Sequence, residues 1–137
     1  VTREDEKVVD LARFISRYLQ KGLVGTNPTN TGQCTGLAML WVKANDKPVI
    51  YANAKDLLAQ ADLTAYLMYK NGPFNSPPPG ALVVWGSTWG NGYGHVAVVI
   101  AANDMHLAVF EQNDPTGSQP NVATHTYDGV IGWLVFK

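Results

Sequence analysis

The chain changes character near Gly72, and that change limits its fold more than any other feature. Upstream, apolar residues recur at helical spacing. Downstream, they form short runs between turn formers. Pro73, Pro77, Pro78, Pro79 and Gly80 mark the change and force an extended lead-in, because proline locks φ and lacks an amide proton. Strands are expected at about 81–85, 95–101, 107–112, 121–127 and 130–136, with the glycine-rich stretch Gly86 to Gly94 joining the first two. Helices first and strands later, joined by short turns, predict an α+β domain with N-terminal helices packed on a C-terminal antiparallel sheet.

The helices are read from periodicity and punctuation. Thr2 is placed to cap a first helix, and Glu4 and Asp5 suit the positive end of its dipole. Val8, Leu11, Ala12, Ile15, Tyr18 and Leu19 make one apolar stripe, ended by Gly22 and Gly25. After the turn-forming loop from Thr26 to Gly32, a second helix is expected from about Gln33 to Ala44, with Leu37, Leu40 and Trp41 inward. A short third helix is expected from about Ala54 to Ala61, capped by Asn53.

Composition narrows the function classes. At 137 residues the chain is expected to be one domain spanning 1–137, and 46% hydrophobic against 15% charged residues supports a real core. A net charge of −1 argues against a nucleic-acid or anionic-membrane module, which would carry a basic patch. No apolar run reaches the length that crosses a bilayer, and no signal peptide opens the chain. The first residue is Val rather than Met, so the chain is expected to be a piece of a longer protein.

Cys34 is the single cysteine, so it is either inert filling or a reactive thiol. It stands where the loop enters the second helix, and a helix N-terminus favours the thiolate and points N–H groups at a developing oxyanion. Gln33 offers an amide donor to the same place. Downstream, Gly94-His95 opens an apolar strand and Glu111-Gln112-Asn113 closes the next. If Asn103-Asp104-Met105 form the hairpin loop, His95 lies opposite Asn113; another loop length, or a bulge, leaves positions 111–113 as its neighbours. Strand alternation sends Glu111 and Asn113 to one face and Gln112 to the other. A catalytic histidine needs that arrangement, one ring nitrogen held and the other free to take a proton. Singly, each residue is as well read as packing or turn polarity; the joint order favours a thiolate–imidazolium pair in a cysteine hydrolase. His106 reads as a turn residue and His125 as an exposed strand residue. No metal site is expected, since the histidines lack ligand spacing and there is no cysteine pair. Trp85 is expected in the core, while Trp89 and Tyr93, set among glycines, are expected to line a substrate groove.

These residues resemble the CHAP family, the cysteine- and histidine-dependent amidohydrolases/peptidases of phage and bacterial cell-wall enzymes. The matching strings are Gly32-Gln33-Cys34-Thr35, Pro79-Gly80 leading to Trp85, Gly94-His95-Val96-Ala97-Val98-Val99, Glu111-Gln112-Asn113 and Val130-Ile131-Gly132-Trp133, over roughly residues 30–136. The resemblance implies a papain-like fold that cleaves amide bonds in peptidoglycan through a thioester. Cys34 would be the nucleophile, His95 the base and then the acid, Glu111 its orienter, Asn113 an assistant, and Gln33 with the Cys34 N–H the oxyanion hole. It also implies a cell-wall or extracellular site of action, a monomeric catalytic domain with a separate wall-binding segment, and no cofactor. A phage endolysin is the leading expectation, with a host autolysin, an antibacterial effector, a non-hydrolytic wall-peptide binding module or an acyltransferase as alternatives. Two positions depart from the family pattern. Ala81 stands where many members carry an acid, and the loop Thr26 to Thr31 has no carboxylate where some members bind calcium, so no calcium requirement is expected.

Overall fold

The helices come first. In the computed structural model the described residues are 3–73 and 75–137, with side chains described from Asp10 onward. Helix α1 runs Arg3–Tyr18 and α2 runs Cys34–Ala44. A 3-10 turn over Ala54–Asp56 leads into α3, one turn over Leu57–Gln60. The stripe on α1 differs from the expected one. Leu11 and Phe14 are buried and Ile15 and Tyr18 half-buried, whereas Ala12 and Leu19 are exposed. Phe14 belongs to the stripe because its ring meets Trp41 at 5.0 Å and Phe110 at 6.0 Å between centroids. The expected cap at Thr2 and the apolar position Val8 lie outside the described residues and side chains.

The strands are β1 (Tyr66–Lys70), β2 (Leu82–Trp85), β3 (His95–Ala102), β4 (Leu107–Glu111), β5 (Asn121–His125) and β6 (Val130–Phe136). They form one antiparallel sheet in the order β1-β6-β2-β3-β4-β5. Strand β1 was not expected, and it moves the switch from helix to strand ahead of Gly72. It is an edge strand in which only Tyr66 is buried, so it carries no period-two signal. The β3–β4 hairpin closes at Ala102 and Leu107, leaving 103–106 as the loop rather than 103–105. A bulge between Val99 and Ala101 takes up the offset, and Val98 still faces Phe110, the register of the shorter loop.

The sheet is covered on both faces, which is why β2 is buried at every position. On the helix side, Leu82, Val84, Val96, Val98 and Phe110 pack with Leu37, Met39 and Trp41. Trp41 Nε1 donates to the Gly80 carbonyl at 2.8 Å, so this core ring leaves no orphan donor. On the other side, Val83, Trp85, Ala97, Val99, Val109 and Trp133 form a second cluster. By alternation His95, Glu111 and His125 fall on this second face, while Gln112 falls on the helix side.

Candidate active site

Cys34 is the first residue of α2 and is half-buried. Its N–H belongs to the opening turn, where helical amides have no intrahelical partner. The preceding loop is stapled by neutral amides. Asn30 Oδ1 accepts from the Thr26 and Asn27 N–H groups at 2.8 and 3.1 Å, Asn30 Nδ2 donates to Thr26 Oγ1 at 2.7 Å, and Asn27 Oδ1 accepts from the Asn30 N–H at 2.9 Å. The loop therefore satisfies itself at the place where a carboxylate cage would stand. Gly36 lets α2 press onto it: a Cβ there would lie 2.6 Å from the Val24 carbonyl oxygen and closer still to that of Asn30.

His95 opens β3 and is 3% exposed. The glycine before it is required, since Gly94 has φ +80° and a Cβ would meet Lys55 N and Trp85 O at 2.6 Å. His95 Nε2–H donates to Glu111 Oε1 at 2.9 Å. With Nε2 committed, Nδ1 is the nitrogen left for Cys34, whose thiol lies near enough to act on the ring. Burial disfavours protonated His95, but the hydrogen bonds and charges of Cys34 and Glu111 outweigh it and push its pKa up to about 9. Glu111 is 1% exposed; burial raises its pKa, and hydrogen bonds and charge from His125 and His95 prevail and lower it.

Two residues take part here that were not among the expected site residues. His125 was expected to be exposed on its strand; instead its Nε2–H donates to the same Glu111 Oε1 at 2.8 Å, and its side chain is 16% exposed. Gln112 is fully buried, accepting from the Val24 N–H at 2.9 Å and donating to the carbonyls of Val24 and Gln33 at 2.9 and 2.7 Å. It thereby ties the loop and the start of α2 to β4. A polar pair at a strand end, one side chain for each face, was the available signal for Gln112.

The other site residues fall as follows. Asn113 has φ +69° and lies beyond β4; its Nδ2 donates to Gln33 Oε1 at 3.4 Å and its Oδ1 accepts from the Gly117 N–H at 2.6 Å. It thus faces Gln33 across the cleft. Trp89 stacks on His95 at 5.8 Å between centroids and presses on Gly129, where a Cβ would meet its indole at 2.7 Å. It packs over the histidine, whereas Tyr93, 63% exposed, stands on the cleft wall. His95, Glu111 and Asp114 bring possible metal-ligand atoms within 4.8 Å of one another, but Glu111 Oε1 already accepts from two histidines.

Cys34 and His95 line a cleft of about 840 Å³ with Gln33, Asn113 and Tyr93. Its other walls carry Asn27, Asn30, Asn53 and Asn91, the hydroxyls of Thr29, Thr35 and Thr116, and the exposed Tyr51. Among the described residues, no Asp, Glu, Lys or Arg lines it. Such a surface offers carboxamides, hydroxyls and two phenol rings to a neutral, hydrogen-bonding ligand.

Residues 24–113 match the CHAP domain family. The fold resembles that of the endolysin LysIME-EF1, with a TM-score of 0.72, 21% identity, and coverage of 93% of this chain and 63% of that one. It likewise resembles Ly7917, described with the hydrolyzing product of MDP, at TM-score 0.72 and 20% identity over 94% of this chain and 62% of that one. A lipoprotein-like protein of the NLP/P60 family from Staphylococcus aureus aligns at TM-score 0.54 and 22% identity, over 95% of this chain and 41% of that one. The chain thus spans less than two thirds of the length of these proteins.

Proposed function

The chain belongs to the CHAP domain family, and on that premise we propose that it is the catalytic domain of a peptidoglycan hydrolase of the endolysin type. The observation that carries the reading is the array Cys34–His95–Glu111, whose first two members line a neutral cleft. One ring nitrogen of His95 is anchored by a buried carboxylate, and the other is left for the only thiol, which lies beside the ring.

The chemistry follows from that array. The Cys34 thiolate attacks an amide carbonyl, and the Cys34 N–H at the start of α2, aided by the Gln33 amide, receives the oxyanion. His95 arrives as the imidazolium and gives its Nδ1 proton to the leaving amine, so that a thioester remains. The neutral imidazole then takes a proton from water, which attacks the thioester and frees the acid and the thiol. Glu111 keeps the ring oriented and stabilises its charge through both steps.

The neutral cleft supports a substrate segment that is uncharged at the scissile bond. The junction between muramoyl sugar and L-alanine and a neutral peptide bridge both answer to it, so the activity is an N-acetylmuramoyl-L-alanine amidase or a bridge endopeptidase. Digestion of purified peptidoglycan, with mass spectrometry of the released ends, tests the reading. New muramoyl ends identify the amidase, new peptide amines the endopeptidase, and both disappear in Cys34→Ala. Binding without release by the intact protein would overturn hydrolysis in favour of a wall-peptide binding module.

A further inference from the structure

We infer that His125 is a positioning residue of the thiol site, holding Glu111 ionised and aimed so that Glu111 holds His95. Glu111 Oε1 lies 2.9 Å from His95 Nε2 and 2.8 Å from His125 Nε2, so one buried oxygen receives two N–H donors. The chain of contacts runs Cys34, His95, Glu111, His125, and it ends at Asp114 Oδ2, 3.7 Å from His125 Nε2. Those are the titratable groups that meet there: Cys34 from α2, His95 from β3, Glu111 from β4, Asp114 from the following loop and His125 from β5.

The surroundings favour a strong coupling. Trp85 lies 5.2 Å from the His95 ring and 5.3 Å from the His125 ring, and Trp89 lies 5.8 and 5.2 Å from them, so both histidines sit in one aromatic box. With Glu111 1% exposed, water cannot replace a lost donor at low cost. A carboxylate with one donor fewer holds its proton at higher pH, and a neutral Glu111 no longer stabilises the imidazolium that partners the thiolate.

Alkylation of Cys34 by iodoacetamide across pH tests this without any substrate, so its failure is distinguishable from failure of the peptidoglycan reading on which the site's proposed role rests. In His125→Leu the acid limb of the alkylation profile should move up by about one pH unit, a roughly tenfold loss of rate near pH 5. His125→Gln, whose amide still offers an N–H, should keep the limb close to that of the unmodified protein. A folded His125→Leu with an unmoved limb overturns the inference, as does an equal fall in rate at all pH values in both variants, the mark of a merely structural role. Should His125→Leu not fold, 15N NMR of the unmodified protein decides. The inference requires a proton on His125 Nε2 bonded to Glu111, and a bare Nε2 overturns it.

Discussion

The two consecutive side chains at the end of β4 serve opposite halves of the site by different physics. Gln112 turns to the helix face and holds the Cys34 half with neutral hydrogen bonds to the backbone of Val24 and Gln33. Glu111 turns to the other face and holds the His95 half with buried charge shared between two imidazoles. The neutral clamp should be indifferent to pH. The charged one should fail at both extremes, since each partner must keep its proton state. Two consecutive residues thus couple a rigid mount for Cys34 to a titratable mount for His95.

Removing the reacting groups gives the largest effect. Cys34→Ala should lower peptidoglycan hydrolysis by about 10³-fold or more with little change in melting temperature. Equal loss of stability and activity would make Cys34 core filling instead. Next, Glu111→Ala strands two histidines in the second core and should cost about 3–5 kcal/mol in a denaturant titration, along with most of the hydrolysis.

Gln112→Leu probes the neutral half. It leaves the buried Val24 and Gln33 backbone groups without partners, a cost of about 1–3 kcal/mol. Hydrolysis should fall at every pH while the shape of the pH profile stays the same. A shifted profile would show that the two halves are not separable.

Melting temperature against pH sharpens the comparison further. The His95 pKa is raised in the folded state, so its contribution is complete below its ordinary 6.5 and is lost as pH rises through about 9. The Glu111 pKa is lowered, so its contribution is complete above its ordinary 4.5 and is lost as pH falls below that. Stability should therefore peak between these ordinary values, and Glu111→Gln should flatten the curve on both sides. The smallest effect is expected from chelation. Because Asn27 and Asn30 already staple the loop before Cys34, EDTA should leave hydrolysis unchanged, and rescue by calcium would contradict that.

Much of this was readable from local pattern. A lone thiol at a loop-to-helix junction, a histidine opening one strand and a carboxylate closing the next stood in order along the chain. The pairing of His95 with Glu111 followed because a hairpin is a local object: its register depends on a short loop, and the bulge returned it to the same neighbours. The α+β layout came from two periodicities that residues near in sequence carry by themselves.

What escaped notice depended on distant chain segments. Gln112 bonds Val24 across 88 positions, and no periodicity links those two sites. His125 looked like an exposed strand residue, and strand pairing does not bring it to the carboxylate, since its Cα partner on β4 is Leu107 rather than Glu111. Only the assembled sheet, with Trp85 and Trp89 walling off one corner, brings its ring to the carboxylate. The sequence alone thus determined the order of Cys34, His95 and Glu111 and which faces the two strand residues take, because those are properties of alternation and turn length. Only the tertiary structure decided how the thiol's loop is fastened and how many donors share the buried charge, because buried polar groups take their partners from whatever segment lies against them.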